Sequence, residues 1–374
     1  MFSEHNIIKL PSNADYKIEN VLNLLLHAAT STSNSLESAS NDLKRKYSEV
    51  KIPSADTIFN YINRNKIDDI LFSFRKMNLE IFKMMELEGK VHDIAIDFHH
   101  VSFHGDKNTD LIRGIKPKNG TSWGYEYCTL DIIGDHKLTL DVIPISALKK
   151  DYSVLVELLF KRLEKMKVKI GTVYFDKEFC NDDTISVLTK RKINYVIACK
   201  SNKKIKKELE KFKKENGHKP TVFEYKFNEN GTKFNLVAVP HEKKDYILFA
   251  TNKDVKSIEK FEKSIPEEYR KRWNIETGYR VKNEFKTRTC TKSPIARTLF
   301  FLIQCSLYNI LNMLKSVLEI TASEMKSIID EDIAKSVKWG IKSLGGMPIR
   351  LLLRTLKEYV RERDRILRIQ LTEI

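Results

Sequence analysis

The chain has 374 residues, enough for two or three cores, and its 41% hydrophobic content is ordinary for a soluble protein. Lysine and arginine (66) exceed aspartate and glutamate (50) by sixteen, a surplus that favours a polyanionic partner such as nucleic acid. GxxxxGK[ST], GxSxG and HExxH do not occur, which weakens nucleotide hydrolase, esterase and metalloprotease readings. The five cysteines (Cys128, Cys180, Cys199, Cys290, Cys305) form no CxxC pair and read as buried thiols in a reducing compartment. No leader pattern opens the chain. The longest apolar stretch, "ARTLFFLIQCSLYNILNML", is broken by polar residues and reads as a buried helix rather than a membrane span.

Residues 1–90 predict helices. "IENVLNLLLHAA" is amphipathic, the Ser/Asn-rich "STSNSLESASND" reads as a loop or frayed helix start, and "IPSADTIFNYINR" offers Ser54 as an N-cap with Ile58, Phe59 and Ile62 on one face. Another helix after Asn65 turns Ile67, Ile70, Leu71 and Phe74 inward. The pair is compatible with a DNA-reading helix-turn-helix and equally with plain packing.

From residue 91 the period changes. "HDIAIDFHHV", "SWGYEYCTLDIIG" and "HKLTLDVIPIS" alternate as strands and predict an antiparallel meander. "DYSVLVELLFKRLEKMKV" is an amphipathic helix with Val154, Leu155, Leu158, Leu159, Leu163 and Met166 inward. The strand "KIGTVYFDKEF", the helix "NDDTISVLTKRKI" and the strand "NYVIACK" complete a mixed sheet with helices packed on it. A lysine-rich helix over 201–213 precedes a second β cluster, "TVFEYKF", "KFNLVAVP" and "DYILFATN". "KSIPEEYRKRWNIETGYRVKNEF" then predicts one long helix, opened by a Ser264–Glu267 capping box with Pro266 in its first turn. Everything beyond residue 295 reads as helical.

The first strand poses the chemical question. In "VHDIAIDFHHVSFHGD" Asp97 and His99 share one face, and a carboxylate in mid-strand is costly to bury without a positive partner. His99 and His100 follow Asp97 too closely on one extended strand to share an ion with it easily, His104 falls in a loop after the strand, and the three read as packing or phosphate-proximal groups rather than a zinc set. Asp93, Asp106 and Asp110 read as surface or turn acids. Asp176 ends a buried strand, where open sheets carry chemistry, with Glu178 as a rival ligand. Glu276 lies among cations, and at helical spacing Tyr269, Arg272, Glu276, Arg280 and Asn283 form one stripe. The stripe is either a ladder of i,i+4 ion pairs or a carboxylate set between phosphate-binding guanidiniums.

"YRKRWNIETGYRVKN" resembles the Y-x2-R-x3-E-x6-K signature of DDE transposases of the insertion-sequence-four kind, with Tyr269, Arg272 and Glu276 in place and Asn283 where the family has lysine. "AIDFHHVSFHGD" and "VYFDKEF" resemble that family's first and second aspartate strands, and the likeness spans about residues 91–315. The resemblance implies a mixed α/β fold: a ribonuclease H-like five-stranded mixed sheet flanked by helices, with a β-rich insertion and helical N- and C-terminal regions. It implies catalytic, metal-binding Asp97, Asp176 and Glu276 with two Mg²⁺ ions, for which Mn²⁺ substitutes. Expected DNA contacts are Tyr269, Arg272, Trp273, Arg280, Lys282 and Lys286, with Arg280 a candidate for the missing lysine charge.

The implied divisions are a DNA-end-binding region over 1–90, catalytic core over 91–200 and 264–315, insertion over 201–263, and a C-terminal region over 316–374. The expected function is transposition: cleavage at terminal inverted repeats of double-stranded DNA and strand transfer into target DNA, by a homodimer in the DNA complex. The expected setting is a prokaryotic cytoplasm, at the nucleoid. A ribonuclease H-like nuclease without strand transfer and a non-catalytic DNA-binding descendant are the alternatives.

Overall fold

The structure, a computed structural model, describes residues 2–32, 34–145, 151–316 and 320–339. Four helices come first: α1 (Ile18–Thr30), α2 (Leu36–Lys46), α3 (Ala55–Asn63) and α4 (Ile67–Met84). Ser54 caps α3 by accepting from the Thr57 amide at 3.1 Å. The Ser/Asn-rich stretch is ordered helix from Leu36 onward, because Ser35 caps it and Leu36, Ala39 and Leu43 are buried.

The strands β1 (Val91–Ser102), β2 (Ile112–Lys118), β3 (Thr121–Ile133) and β4 (Leu138–Ile145) lead to α5 (Tyr152–Lys165), β5 (Lys169–Phe175), α6 (Asp182–Lys190) and β6 (Asn194–Cys199). β3 pairs antiparallel with β1 on one edge, and on its other edge with β2 and then β4. β1, β5 and β6 run parallel. The central order is therefore β4-β3-β1-β5-β6, a mixed sheet consistent with a ribonuclease H-like core. Sequence reading missed β2, since Gly114 and Pro117 mark a loop unless an edge strand accommodates them.

Next come α7 (Lys203–Asn216), β7 (Thr221–Tyr225), β8 (Phe234–His241) and β9 (Asp245–Thr251). β9 pairs antiparallel with β6, so the second β cluster continues the same sheet instead of forming its own. The chain ends its described part with α8 (Phe261–Arg270), α9 (Trp273–Asn283), α10 (Pro294–Lys315) and α11 (Ala322–Trp339). The remainder of the helical region expected to the C-terminus lies outside the described residues. By length and composition α10 is apolar enough to cross a membrane, yet 83% of its most apolar window is buried in the fold.

Strand parity splits the core. Ile94, Ile96, Val173, Phe175 and Ile197 join one large cluster with α1–α6 and α10, whereas Ala95, Tyr174, Val196, Val237 and Phe249 carry Ile265 of α8 and Ile275 of α9. The N-terminal helices are part of the first cluster. Asn78 of α4 donates to the Thr139 and Leu140 carbonyls of β4, and Asn309 of α10 donates to Asn78 at 2.9 Å. On α5 the buried stripe is Leu155, Val156, Leu159, Phe160 and Leu163, leaving Val154 and Leu158 exposed.

Two further expectations change. Cys180 and Cys199 are joined as a disulfide, fastening the turn after β5 to the end of β6; Cys128 and Cys305 are buried thiols and Cys290 is exposed. The predicted long helix is two, α8 and α9, broken at Lys271–Arg272. α8 begins at Phe261, so Ser264 is not its cap and donates instead to the Glu259 and Lys260 carbonyls, while Pro266 sits inside the helix.

Candidate active site

The parallel register pairs Ile96 with Phe175, so Asp97 and Asp176 are the next residues along two adjacent strands. Their parity is that of Ala95 and Tyr174, the side covered by α8 and α9. Asp176 then opens a 3-10 turn whose Phe179 is fully buried and stacks on Phe98 at 4.8 Å. The residue after each aspartate, or three after it, is thus a core aromatic that fixes the local backbone.

The break between α8 and α9 delivers the positive partner that Asp97 needs. Amides of Lys271, Arg272, Asn274 and Ile275 bond three residues back rather than four, a tight 3-10 passage. From it two consecutive cations reach the same strand face. Lys271 Nζ lies 2.7 Å from Asp93 Oδ2, and Arg272 Nη1 lies 3.0 Å from Asp97 Oδ2. Asp93, read as a surface acid, also accepts from the Thr172 amide and so joins β1, β5 and this passage.

Arg272 is nearly buried, and its Nη2 reaches Glu276 Oε1 at 2.6 Å. One guanidinium therefore spans two carboxylates from distant parts of the chain. Burial pushes the Asp97 carboxyl up to about 6; Arg272 pulls the other way, and the Asp176 and Glu276 carboxylates add to the rise. Both other acids therefore act on Asp97. Among the described residues, the group whose ligand atoms all lie within 4.8 Å is Glu4, His5 and Glu80; Asp97, Asp176 and Glu276 are not drawn that close, with Arg272 between two of them. Chemically the three remain a set of hard oxygen donors suited to a divalent cation.

The other candidates divide by exposure. Tyr269 is not a free DNA contact: its hydroxyl donates to the Phe175 carbonyl at 3.1 Å and its ring lies 5.6 Å from the Arg272 guanidinium. Lys282 is fully buried, with Nζ 2.8 Å from Asp131 Oδ1, which removes it from the expected phosphate-binding cations. Trp273 is exposed, as are Arg280 and Lys286. Although the Lys286 residue is exposed as a whole, desolvation around its ammonium holds it below its ordinary pKa, and Lys118, Arg288 and Arg297 add repulsion. Asn283 accepts from Gln304 at 3.2 Å.

His99 and His100 are held by neighbouring side chains. His99 lies between Tyr279 (4.3 Å) and Phe301 (5.2 Å), and burial holds it well below its ordinary pKa and therefore neutral. His100 meets buried Glu126 at 2.7 Å, and Arg113 meets the same carboxylate at 2.9 Å. His104 is exposed after the strand. Sequence reading missed Thr129 and Asp131, which lie across from Asp97 and Ala95 on β3; the alternation in "YEYCTLDII" was their available signal.

A family model described as a transposase DDE domain matches residues 93–310. No curated protein matches. Among solved structures, a piggyBac transposase synaptic complex with hairpin DNA is similar over 96% of this chain and 79% of that chain, at 16% identity and a TM-score of 0.57. At that identity the likeness is one of fold. The Drosophila P element transposase strand transfer complex matches over 84% of this chain and 64% of that chain, at 9% identity and a TM-score of 0.29.

Proposed function

The chain belongs to the transposase DDE domain family, and from that premise we propose that it cuts DNA at the ends of a mobile element and joins those ends to target DNA. Within the family we place it beside the insertion-sequence-four-like enzymes, on the spacing of Tyr269, Arg272 and Glu276. One observation carries the reading: Asp97, beside Asp176 on the neighbouring strand, shares the Arg272 guanidinium with Glu276.

Asp97, Asp176 and Glu276 would hold the divalent metal, Mg²⁺ or Mn²⁺ in its place, with two ions per site. Such ions supply positive charge to the attacking and leaving oxygens of a phosphodiester displacement. Water oxygen attacks phosphorus at the element's end and the 3′ oxygen leaves; that 3′ oxygen then attacks a target phosphorus and a target 3′ oxygen leaves. In the metal-free protein Arg272 pairs the largely buried Asp97 with the half-exposed Glu276, and with a metal held by those carboxylates its fork would be free to take a phosphate oxygen. Tyr269 ties the helix passage to the end of β5, beside Asp176. Exposed Trp273, Arg280 and Lys286 form the DNA-facing set. The helices before β1 read the end sequence, and a homodimer brings two ends together.

The test is a joining reaction between supercoiled plasmid and labelled duplexes taken from the DNA flanking the coding region, with Mg²⁺ or Mn²⁺. Joined product supports transposition. Cleavage without joining makes the protein a nuclease, and metal-independent binding without product makes it a DNA-binding descendant.

A further inference from the structure

We propose that Lys282 and Tyr279 are positioning residues: they set the register of α9 on the sheet and thereby hold Glu276 over Asp97. The inference rests on the reading of Glu276 as a metal ligand.

β3 lies antiparallel to β1 and places Thr129 across from Asp97 and Asp131 across from Ala95. Both β3 side chains are buried and both are taken by α9. The hydroxyls of Tyr279 and Thr129 are 2.6 Å apart. Lys282 Nζ lies 2.8 Å from Asp131 Oδ1, an oxygen that also accepts from Thr139 at 2.6 Å. Glu276, Tyr279 and Lys282 follow one another at three-residue intervals, so two anchors lie on the flank of α9 just beyond Glu276.

The surroundings enclose the Lys282 ammonium between two rings. The Lys282 ammonium sits 4.6 Å from the Tyr279 ring centroid and 5.0 Å from that of Tyr308. Gly278 lets α10 close in, since a Cβ there would meet the Tyr308 hydroxyl at 3.0 Å. A fully desolvated ammonium is no efficient source of stability, because packed apolar side chains do as well or better. What an ion pair adds is direction: Nζ must meet Asp131, whereas an apolar contact tolerates sliding. Lys282 therefore acts through the helix and not on DNA.

The test reads Mn²⁺ binding by calorimetry on the full chain without DNA, alongside thermal melting. Lys282→Met should bind Mn²⁺ about tenfold more weakly, the scale found when groups supporting metal ligands are removed. The double variant Asp131→Leu/Lys282→Met strands no charge and should melt near wild type, yet stay as weak in Mn²⁺ binding. A stable double variant with wild-type Mn²⁺ affinity would overturn the inference, leaving the pair a space-filler. If either lysine variant misfolds, Tyr279→Phe decides: weaker Mn²⁺ binding supports the inference and unchanged binding overturns it. Wild type and Glu276→Gln binding Mn²⁺ equally would instead strike at the reading of Glu276 itself.

Discussion

Arg272 Nη1 lies 3.0 Å from Asp97 Oδ2, across 175 residues of sequence, and both side chains are largely buried. The mid-strand carboxylate finds its positive partner in a helix passage, and the same guanidinium holds Glu276. Arg272→Ala should therefore destabilise the metal-free protein by about 3 kcal/mol, the low end for a broken buried pair because Asp97 can take up a proton instead. Melting curves with and without MnCl₂ check this. Mn²⁺ should raise the variant's Tm more than that of wild type, and an equal rise would count against a shared cation position.

Asp97→Asn should stabilise the metal-free protein at neutral pH. The folded-state pKa is raised from 3.8 to about 6. The group thus favours the folded state fully below 3.8, and that contribution is lost as pH rises through about 6. Above that pH the ionised carboxylate costs up to about 3 kcal/mol. Chemical denaturation at pH 4.0 and 7.5 should show the variant gaining stability at the higher pH alone. A loss at pH 7.5 would contradict the burial account.

His27 should make the helical clasp sensitive to pH. It lies 2.8 Å from Asp42 of α2 and 3.2 Å from Asp330 of α11. Burial lowers its pKa, but hydrogen bonds to Asp330 and Asp42 carry it above 6.5. Its stabilisation is therefore full below pH 6.5 and fades as pH rises through the folded value. Tm should fall between pH 6.5 and 8 in wild type and stay flatter in His27→Gln; parallel curves would refute the assignment.

The sequence made some of this legible through local periodicity. Alternation put Asp97 and His99 on one face of β1, and the spacing of Tyr269, Arg272 and Glu276 singled out the helical region around Glu276. Long-range partners were invisible. Nothing near Lys282 announces Asp131, 151 residues away, so a lysine on a charged helix reads as solvent-facing. The break at Lys271–Arg272 has no glycine or proline of its own; it falls where two cations meet Asp93 and Asp97. Cys180 and Cys199 meet because β5 and β6 are neighbours, which spacing alone does not encode.

Exposure separates the two cations past Glu276. Arg280→Ala should reduce the salt dependence of duplex binding by a slope of about 1 and leave melting unchanged, as for one lost phosphate contact. Lys282→Ala should keep the salt slope and lower Tm. Filter-binding titrations over a range of NaCl check both, and the reverse pattern would place Lys282 on the DNA.

The central claim is that Asp97, Asp176 and Glu276 together hold the metal that cuts DNA. The direct measurement is cleavage of supercoiled plasmid carrying the DNA that flanks the coding region, by wild type and by Asp97→Asn, Asp176→Asn and Glu276→Gln. Wild type should cleave with Mg²⁺ or Mn²⁺ and stop in EDTA, while each variant binds the plasmid and cleaves only at background. Cleavage at wild-type rate by any of the three variants, or cleavage that persists in EDTA, would contradict it.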